Sequence, residues 1–370
     1  MDNNDRRFLE DYFSRYKTIL SSTEQFGDLI AFGDICKKVR ENGKKIIFAG
    51  NGASASISSH AATDFTQHAH VRSICFNDHN LITAFSNDYG YENWIANALK
   101  YYADPGDVVV LISSSGQSEN VINAAKQAIE QNLELVTFSG FAANNPLRTL
   151  GKINFWANSC AYNIVESVHL TWILAVANLL DQHGDELAFL NKHFLAHQNA
   201  LFEVNHYEKL CTLRDLCQDV SSNTGKMIFA GNGGSSSIAS HAATDFTKQS
   251  KIRTICFNDH NLISAFSNDY GQEHWIAQCI ENYADQNDAV VLISSSGCSK
   301  NVINAINLAK QKGLPTATFT GFDSTNPLRK LGDYNFWVDS HNYNVAEATH
   351  AIWICCVVDM LVGNPEYSVS

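Results

Sequence analysis

The sequence predicts an α/β protein that consists of two tandem copies of one domain, each a parallel sheet flanked by helices. Most of the chain repeats itself at a fixed distance, which indicates the two copies. Each copy alternates short apolar segments with segments of helical periodicity. Apolar strands that alternate with helices are typical of a doubly wound, three-layer fold of the flavodoxin or Rossmann type.

The repeat has an offset of 181 residues, and from Ile46 to about Leu180 it contains no insertion or deletion. The segment IIFAGNGASASISSHAATDFT begins at Ile46 and returns as MIFAGNGGSSSIASHAATDFT from Met227. The segment CFNDHNLITAFSNDYG from Cys75 returns almost unchanged from Cys256. Solenoid units are roughly 20 to 50 residues long, so each copy is a domain rather than a small repeat.

We expect the first domain over residues 1–184 and the second over 185–370. The weakly matching stretches 1–43 and 186–224 have helical character, and they form a leader to each copy. A length of 370 residues suits two domains of ordinary size.

Five apolar segments of the first copy are predicted strands. They are residues 45–49, 73–76, 108–113, 133–139 and 153–157. Helical patterns lie between them, for example over 118–131, where apolar residues have helical spacing. In open parallel sheets, ligands bind beyond the carboxyl ends of the strands. The loops that follow strands are therefore the candidate sites.

Charge and hydropathy exclude several classes of partner. The net charge of −12 argues against a nucleic-acid or anionic-membrane surface. The N-terminus is polar, and the longest apolar runs, 172–176 and 351–358, are far shorter than the roughly 20 residues that span a bilayer. We expect a cytoplasmic protein.

The ten cysteines predict free thiols rather than a disulfide framework or a structural zinc site. No CxxC pair occurs, and within the well-aligned segment from Ile46 to about Leu180 only Cys75 recurs, as Cys256. A disulfide framework or a structural zinc site would be expected to recur whole in both copies.

Two loops of each copy have the composition of a phosphate site. The first is the glycine turn Gly50-Asn51-Gly52-Ala53-Ser54, which returns as Gly231-Asn232-Gly233-Gly234-Ser235. The second is the serine loop. It comprises Ser113, Ser114, Ser115, Gly116 and Ser118 in the first copy and Ser294, Ser295, Ser296, Gly297 and Ser299 in the second. Hydroxyls and helix-start amides can hold phosphate without a basic side chain. Helix capping by Ser118 is the alternative, but it explains one serine and not the cluster.

A third set of residues can carry acid–base chemistry. His60 and Asp64 are four residues apart in one predicted helix, and Glu166 and His169 are three apart in a later one, so each pair shares a helix face. The second copy retains all four, as His241, Asp245, Glu347 and His350. Two imidazoles and two carboxylates can transfer protons or ligate a divalent metal. Helix capping or structural polar pairing explains any one of them equally well.

Asn87-Asp88 and Asn268-Asp269 stand at the end of a predicted helix in each copy. They suit hydrogen bonds to sugar hydroxyls, and turn formation explains them equally well.

These motifs together resemble the sugar isomerase (SIS) domain, and among its members the phosphoheptose isomerases. The motifs that carry the resemblance are GNGxS, HxxxD, SNDYG, ISSSGxSxNVI and ExxH. The similarity covers roughly 44–182 and 225–363. It implies two SIS domains, each a five-stranded parallel sheet flanked by helices. The serine motif is more specific for the domain than for the reaction.

The resemblance also implies roles for individual residues. It assigns the phosphate to Ser54, Ser113, Ser115 and Ser118, with Ser235, Ser294, Ser296 and Ser299 in the second copy. It assigns sugar contacts to Asn51 and Asp88, with Asn232 and Asp269. It implies no certain cofactor but allows zinc, held by His60, Asp64 and Glu166 or by His241, Asp245 and Glu347.

The chain departs from the family pattern at three positions of each copy. Asp64 and Asp245 replace a family Glu, and Glu166 and Glu347 replace a family Gln. Leu174 and Cys355 stand where the family has its last His. His169 and His350 would supply an imidazole nearby, and Cys355 is either a zinc ligand or plain core.

The leading hypothesis is an aldose–ketose isomerase acting on a ketose phosphate such as sedoheptulose 7-phosphate through an enediol. Asp64 or Glu166 would remove the proton, with His60 or His169 as the partner acid. The alternative is a non-catalytic sugar-phosphate regulator or assembly factor, which the lost His favours, and a purely structural scaffold is a third possibility.

Because SIS domains pair, we expect a homodimer that forms a four-domain assembly.

Overall fold

The computed structural model describes residues 1–202 and 206–367, and it contains two five-stranded sheets in which every paired strand is parallel. The strands of the first sheet are β1 (Ile46–Gly50), β2 (Ser73–Cys75), β3 (Val108–Ser113), β4 (Glu134–Ser139) and β5 (Ile153–Trp156). The strands of the second are β6 (Met227–Gly231), β7 (Thr254–Cys256), β8 (Ala289–Ser294), β9 (Thr316–Thr320) and β10 (Tyr334–Trp337). The predicted fold class is confirmed.

Helices precede and connect the strands in both copies. Those of the first half are α1 (Asn3–Leu20), α2 (Phe26–Glu41), α3 (Ala53–Gln67), α4 (His79–Tyr89), α5 (Trp94–Tyr102), α6 (Glu119–Glu130) and α7 (Tyr162–Leu179). Those of the second half are α8 (Glu186–Leu201), α9 (Tyr207–Ser222), α10 (Gly234–Lys248), α11 (His260–Tyr270), α12 (Trp275–Tyr283), α13 (Lys300–Gln311), α14 (Pro327–Leu331) and α15 (Tyr343–Val362). A short 3₁₀ helix, Leu147–Thr149, takes the place of α14 in the first copy.

The chain divides into two compact units. One is Arg15–Leu195, and the other comprises Met1–Ser14 together with the described residues from Ala196 onward. In the second of these, the Asp5 carboxylate bonds the Arg214 guanidinium, and the ring of Phe13 stacks on Tyr207 with centroids 5.5 Å apart. The domain boundary between residues 184 and 185 stays a prediction from the repeat.

Strand order places the predicted loops at one edge of each sheet. The orders are β2-β1-β3-β4-β5 and β7-β6-β8-β9-β10, so the chain reverses direction across the sheet between β1 and β3, and again between β6 and β8. Gly50 pairs with Ile112, and Gly231 pairs with Ile293. The glycine turn and the serine loop therefore leave neighbouring strands at the same level, at the switch point where α/β sheets bind ligands.

Apolar packing on both faces holds each sheet. All residues of β1, β3, β6 and β8 are buried, as expected for central parallel strands. Helix α15 is long and apolar enough to cross a membrane, but 89% of its most apolar stretch is buried inside the protein. It is a core helix, which explains why its apolar residues do not follow one face. All ten cysteines are free thiols, as predicted.

A buried ion pair fixes the opposite edge of the second sheet. Asp288, 1% exposed, accepts a bond from the backbone N–H of Lys226 at 2.8 Å and lies 2.5 Å from its ammonium group. It also accepts the backbone N–H of Asp285 at 2.7 Å. Lys45, Asp104 and Asp107 repeat the arrangement in the first copy. These contacts join the start of each first strand to the start of its neighbour.

We expect Asp288→Ala to destabilise the protein by roughly 3 kcal/mol, because it leaves Lys226 and two backbone donors without their buried acceptor. Chemical denaturation followed by circular dichroism measures the loss. The matched control is Asp285→Ala, since the Asp285 side chain bonds the same ammonium but is 81% exposed. Equal losses for the two variants would contradict the role given to Asp288.

Candidate functional site

The glycine turn after β1 requires both of its glycines. Gly52 has φ +54° and ψ −121°, a conformation that residues with a Cβ rarely adopt. A Cβ on Gly50 would lie 2.7 Å from the Cβ of Ser54 and 2.8 Å from the carbonyl oxygen of Ile112. Gly231 and Gly233 repeat both features. The turn thus holds the start of α3 or α10 against the neighbouring strand.

The serine loop after β3 is closed by its own hydroxyls. The Ser113 and Ser118 hydroxyl oxygens lie 3.0 Å apart, and those of Ser294 and Ser299 lie 3.2 Å apart. Although Ser118 is the N-cap residue of α6, its side chain makes no capping bond within the described part of the chain. The capping alternative is therefore not realised, and helix-start amides with several hydroxyls remain together, as an anion site requires.

In the second copy these groups line one cavity of about 120 Å³. Its walls are Asn232, Ser235, Ile293, Ser294, Ser295, Ser296, Ser299, Tyr343 and Glu347. The predicted phosphate residues of this copy and the predicted acid–base residue Glu347 thus meet at one place. Tyr343 and Ile293 were not predicted, and Asp269 is not among the lining residues.

A serine hydroxyl joins the loop to the carboxylate in both copies. The Ser114 hydroxyl donates to Glu166 Oε1 at 2.8 Å, and the Ser295 hydroxyl donates to Glu347 Oε1 at 3.4 Å. All four side chains are buried. The glutamates stand near the start of α7 and α15, and this places a carboxylate beside the predicted phosphate loop.

The predicted His–Asp pairs form within each copy. His60 Nε2 lies 3.8 Å from Asp64 Oδ2, and His241 Nε2 lies 3.2 Å from Asp245 Oδ2. In the second copy the Cys355 sulfur also lies 3.9 Å from His241 Nε2. Burial alone lowers the pKa of His241, but the adjacent Cys355 and Asp245 raise it well above its ordinary value. Burial raises the pKa of the Cys355 thiol. His241 Nε2 thus faces one carboxylate and one sulfur atom.

His169 and His350 are core residues. Each is fully buried, and each ring nitrogen Nε2 donates to a backbone carbonyl, of Ser139 at 2.9 Å and of Thr320 at 3.0 Å. The His350 ring packs edge-on against Phe319. Burial lowers the pKa of both imidazoles to about 4, so both are neutral near pH 7. In each ring Nε2 is therefore engaged in the core, and the predicted part of these histidines in proton transfer stays a prediction.

Asp88 and Asp269 lie at the exposed ends of α4 and α11. Each accepts a bond at 2.9 Å from the side-chain amide of the preceding asparagine, Asn87 or Asn268. Their role in sugar binding stays a prediction.

Two further asparagines shape the site and were not singled out from the sequence. Asn120 exchanges two amide bonds with Asn51, of 2.9 and 2.8 Å, and Asn301 does the same with Asn232. Asn145 bonds the Ser139 hydroxyl and the Gly140 carbonyl, and a Cβ on Gly116 would lie 2.0 Å from its side-chain oxygen. Both asparagines recur at the same offset, the second before Pro-Leu, and that recurrence was the available signal.

The donor atoms of the second copy are of the kinds that zinc takes. His241 Nε2 lies 3.2 Å from the Asp245 carboxylate and 3.9 Å from the Cys355 sulfur, which are atoms of the kinds that zinc binds, and zinc at this place stays a prediction. In the first copy Leu174 stands at the position of Cys355, so His60 and Asp64 would bind zinc without a sulfur ligand.

Comparisons with known proteins point to one domain family. A family model described as the SIS domain matches residues 11–140 and 194–321. A phosphoheptose isomerase of Helicobacter pylori is 33% identical over 180 residues, which are 46% of this chain and 93% of that protein. A phosphoheptose isomerase of Aliarcobacter butzleri is 31% identical over 179 residues, 45% of this chain and 94% of that protein.

Solved structures share the fold over nearly the whole chain. The C-terminal domain of glucosamine-fructose-6-phosphate aminotransferase from Francisella tularensis has a TM-score of 0.63 at 14% identity, covering 98% of this chain and 97% of that one. Glucosamine-6-phosphate deaminase from Thermotoga maritima has a TM-score of 0.58 at 9% identity, covering 95% and 96%. At these identities the likeness concerns the fold alone.

The buried imidazoles predict a loss of stability in mild acid. Between pH 6.5 and about 4 the unfolded chain protonates His350 and the folded chain does not, so the free energy of unfolding falls as pH is lowered through this window. One such histidine contributes up to about 3 kcal/mol to the fall. In urea titrations from pH 7 to 4.5, we expect His350→Gln to have a flatter pH dependence than the unsubstituted protein. The exposed His183→Gln is the control and should keep the original slope. An unchanged slope in the His350 variant would contradict the assignment.

Proposed function

Because the chain belongs to the SIS domain family, we propose that it binds a sugar phosphate and isomerises it between its ketose and aldose forms. A ketose phosphate such as sedoheptulose 7-phosphate is the substrate class, as the names of the phosphoheptose isomerase relatives suggest. The observation that carries the proposal is that Glu347 and a cluster of serines line the same cavity.

The serine loop binds the phosphate group through neutral donors. Hydroxyls of Ser294, Ser296 and Ser299 and the amides at the start of α13 favour a dianion without a lysine or arginine. Fixing the phosphate at one end of an open-chain sugar places its carbonyl end at a set distance. The same construction in the first copy uses Ser113, Ser115 and Ser118.

The glutamates act as the base. Glu166 or Glu347 takes a proton from C1 of the ketose, while an imidazole of a His–Asp pair protonates the carbonyl oxygen at C2, which gives an enediol. The proton returns from the carboxyl group to C2 while the C1 hydroxyl loses its proton, and the aldose results. The hydroxyl bond from Ser114 or Ser295 orients the carboxylate. Bound zinc, if the reaction uses it, would polarise the carbonyl.

A second candidate function is a sugar-phosphate-binding regulator or assembly factor without catalysis. One observation favours it: Leu174 stands in the first copy where the family has a histidine. Leu174 is fully buried in α7, and its aliphatic side chain cannot transfer a proton. The regulator would bind the same ligands through the same serine loops.

We further propose that the protein is cytoplasmic and that two chains form a homodimer of four SIS domains, with no nucleic-acid or membrane partner. Pairing of SIS domains and the net charge of −12 support this. Light scattering at working concentration should give twice the chain mass of 40.9 kDa. A monodisperse monomer would contradict the dimer.

The catalytic proposal predicts the effect of removing both bases. Glu166→Gln combined with Glu347→Gln keeps side-chain size but abolishes proton abstraction, so turnover of sedoheptulose 7-phosphate should fall by roughly 100-fold or more while its Kd changes little. Proton NMR in heavy water, with and without added zinc, measures both isomerisation and solvent exchange into the sugar.

The control combines Glu130→Gln with Glu208→Gln, two exposed glutamates, one in each half of the chain. Undiminished turnover in the Glu166 and Glu347 variant would contradict the assigned base. Binding without turnover or solvent exchange in the unsubstituted protein would favour the regulator.

A further inference from the structure

The two copies differ at the rim of the glycine turn. Tyr91 lies at this rim in the first copy, and Gln272 occupies the equivalent position in the second. The Tyr91 hydroxyl donates to the side-chain oxygen of Asn51 at 3.1 Å, although 55% of the residue is exposed. An exposed aromatic side chain is thereby tied to a residue of the predicted sugar site.

This bond changes what Asn51 can offer to a ligand. The Asn51 oxygen accepts from the Asn120 amide at 2.8 Å and from the Tyr91 hydroxyl, and a carbonyl oxygen has two lone pairs. Asn51 therefore has one N–H left to donate and no acceptor position. In this copy a sugar hydroxyl cannot give its hydrogen to Asn51.

The corresponding residue of the second copy keeps an acceptor. The Asn232 oxygen accepts from the Asn301 amide at 2.9 Å, and Asn232 lines the cavity. Gln272 is exposed, and no bond from it to Asn232 is found in the described part of the chain. Asn232 can therefore both donate to a ligand and accept from one.

The backbone that carries the two rim residues is the same. Asn123 donates to the carbonyl of Glu92 at 2.9 Å, and Asn304 donates to that of Glu273 at 2.8 Å. The preceding glycines have φ of +82° and +85°. Since these anchoring bonds from Asn123 and Asn304 match, the difference between the two sites at this position lies in the side chain alone.

We propose that Tyr91 determines ligand specificity by making the two sugar-phosphate sites unequal. In the second site the side-chain oxygen of Asn232 accepts a hydrogen bond from a sugar hydroxyl. In the first site the Tyr91 hydroxyl already occupies the corresponding oxygen, that of Asn51. The second site therefore favours a polyhydroxylated sugar phosphate over bare phosphate more strongly than the first does. The inference rests on the phosphosugar binding of the proposed function and not on its isomerase chemistry.

Single-site proteins test the inference. Ser296→Glu blocks the second serine loop with a negative charge, and Ser115→Glu blocks the first. Calorimetry on each full chain gives Kd for inorganic phosphate and for sedoheptulose 7-phosphate, and the ratio of the two is the selectivity. We expect the selectivity of the second site to be roughly fivefold higher than that of the first, because one hydrogen bond changes a Kd by about this factor.

Exchange of the rim residues then assigns the difference. Tyr91→Gln and Tyr91→Phe should both raise the selectivity of the first site by roughly fivefold, and Gln272→Tyr should lower that of the second. The phenylalanine keeps the ring and removes only the hydroxyl. Tyr101→Phe, on α5 and 69% exposed, is the matched control and should change nothing. Thermal midpoints confirm that each variant is folded.

Equal selectivity of the two sites, or no change in Tyr91→Phe, would overturn the inference. The two sites could differ in selectivity, and respond to substitution of Tyr91, in a protein that does not turn over the sugar phosphate. That result would contradict the isomerase proposal and support the inference about Tyr91. If neither site bound sedoheptulose 7-phosphate, both proposals would fall.

Discussion

The pairing of β1 with β3, and of β6 with β8, is the contact on which the candidate sites depend. It brings two loops that are about 60 residues apart in the chain to adjacent positions at one sheet edge. Because Gly50 packs against the Ile112 carbonyl and the first turn of α3, the glycine turn has little freedom to move. The cavity walls are thus set by backbone geometry that buried strands hold fixed.

The site combines neutral anion donors with a carboxylate, and this combination shapes its chemistry. Serine hydroxyls and helix-start amides favour phosphate without a fixed positive charge. A carboxylate such as Glu347 can therefore stand nearby without being neutralised by a basic side chain. A proton-transfer group beside a phosphate loop is the arrangement that an enediol mechanism needs, since the phosphate positions the carbon that loses its proton.

Duplication within one chain lets the two sites diverge while the fold stays the same. The scaffold residues, namely the glycines, the paired asparagines and the anchors at Asn123 and Asn304, recur in both copies. The differences fall on side chains at or near the sites, such as Tyr91 against Gln272 and Leu174 against Cys355. A substitution at such a position changes what a ligand meets and leaves the backbone in place.

The sequence by itself determined the tandem repeat, the parallel α/β fold, the strand positions to within a residue or two, and the serine and glycine loops. These follow from hydrophobic periodicity, turn chemistry and internal recurrence, which are local properties. Only the tertiary structure decided what each polar side chain does. Helical spacing gave Glu166 and His169 the same face, yet Glu166 bonds Ser114 whereas His169 bonds a core carbonyl. Likewise, Asn120 became part of the site only through its contact with Asn51. Spacing along a helix fixes which face a residue occupies, but its partner is supplied by another part of the chain.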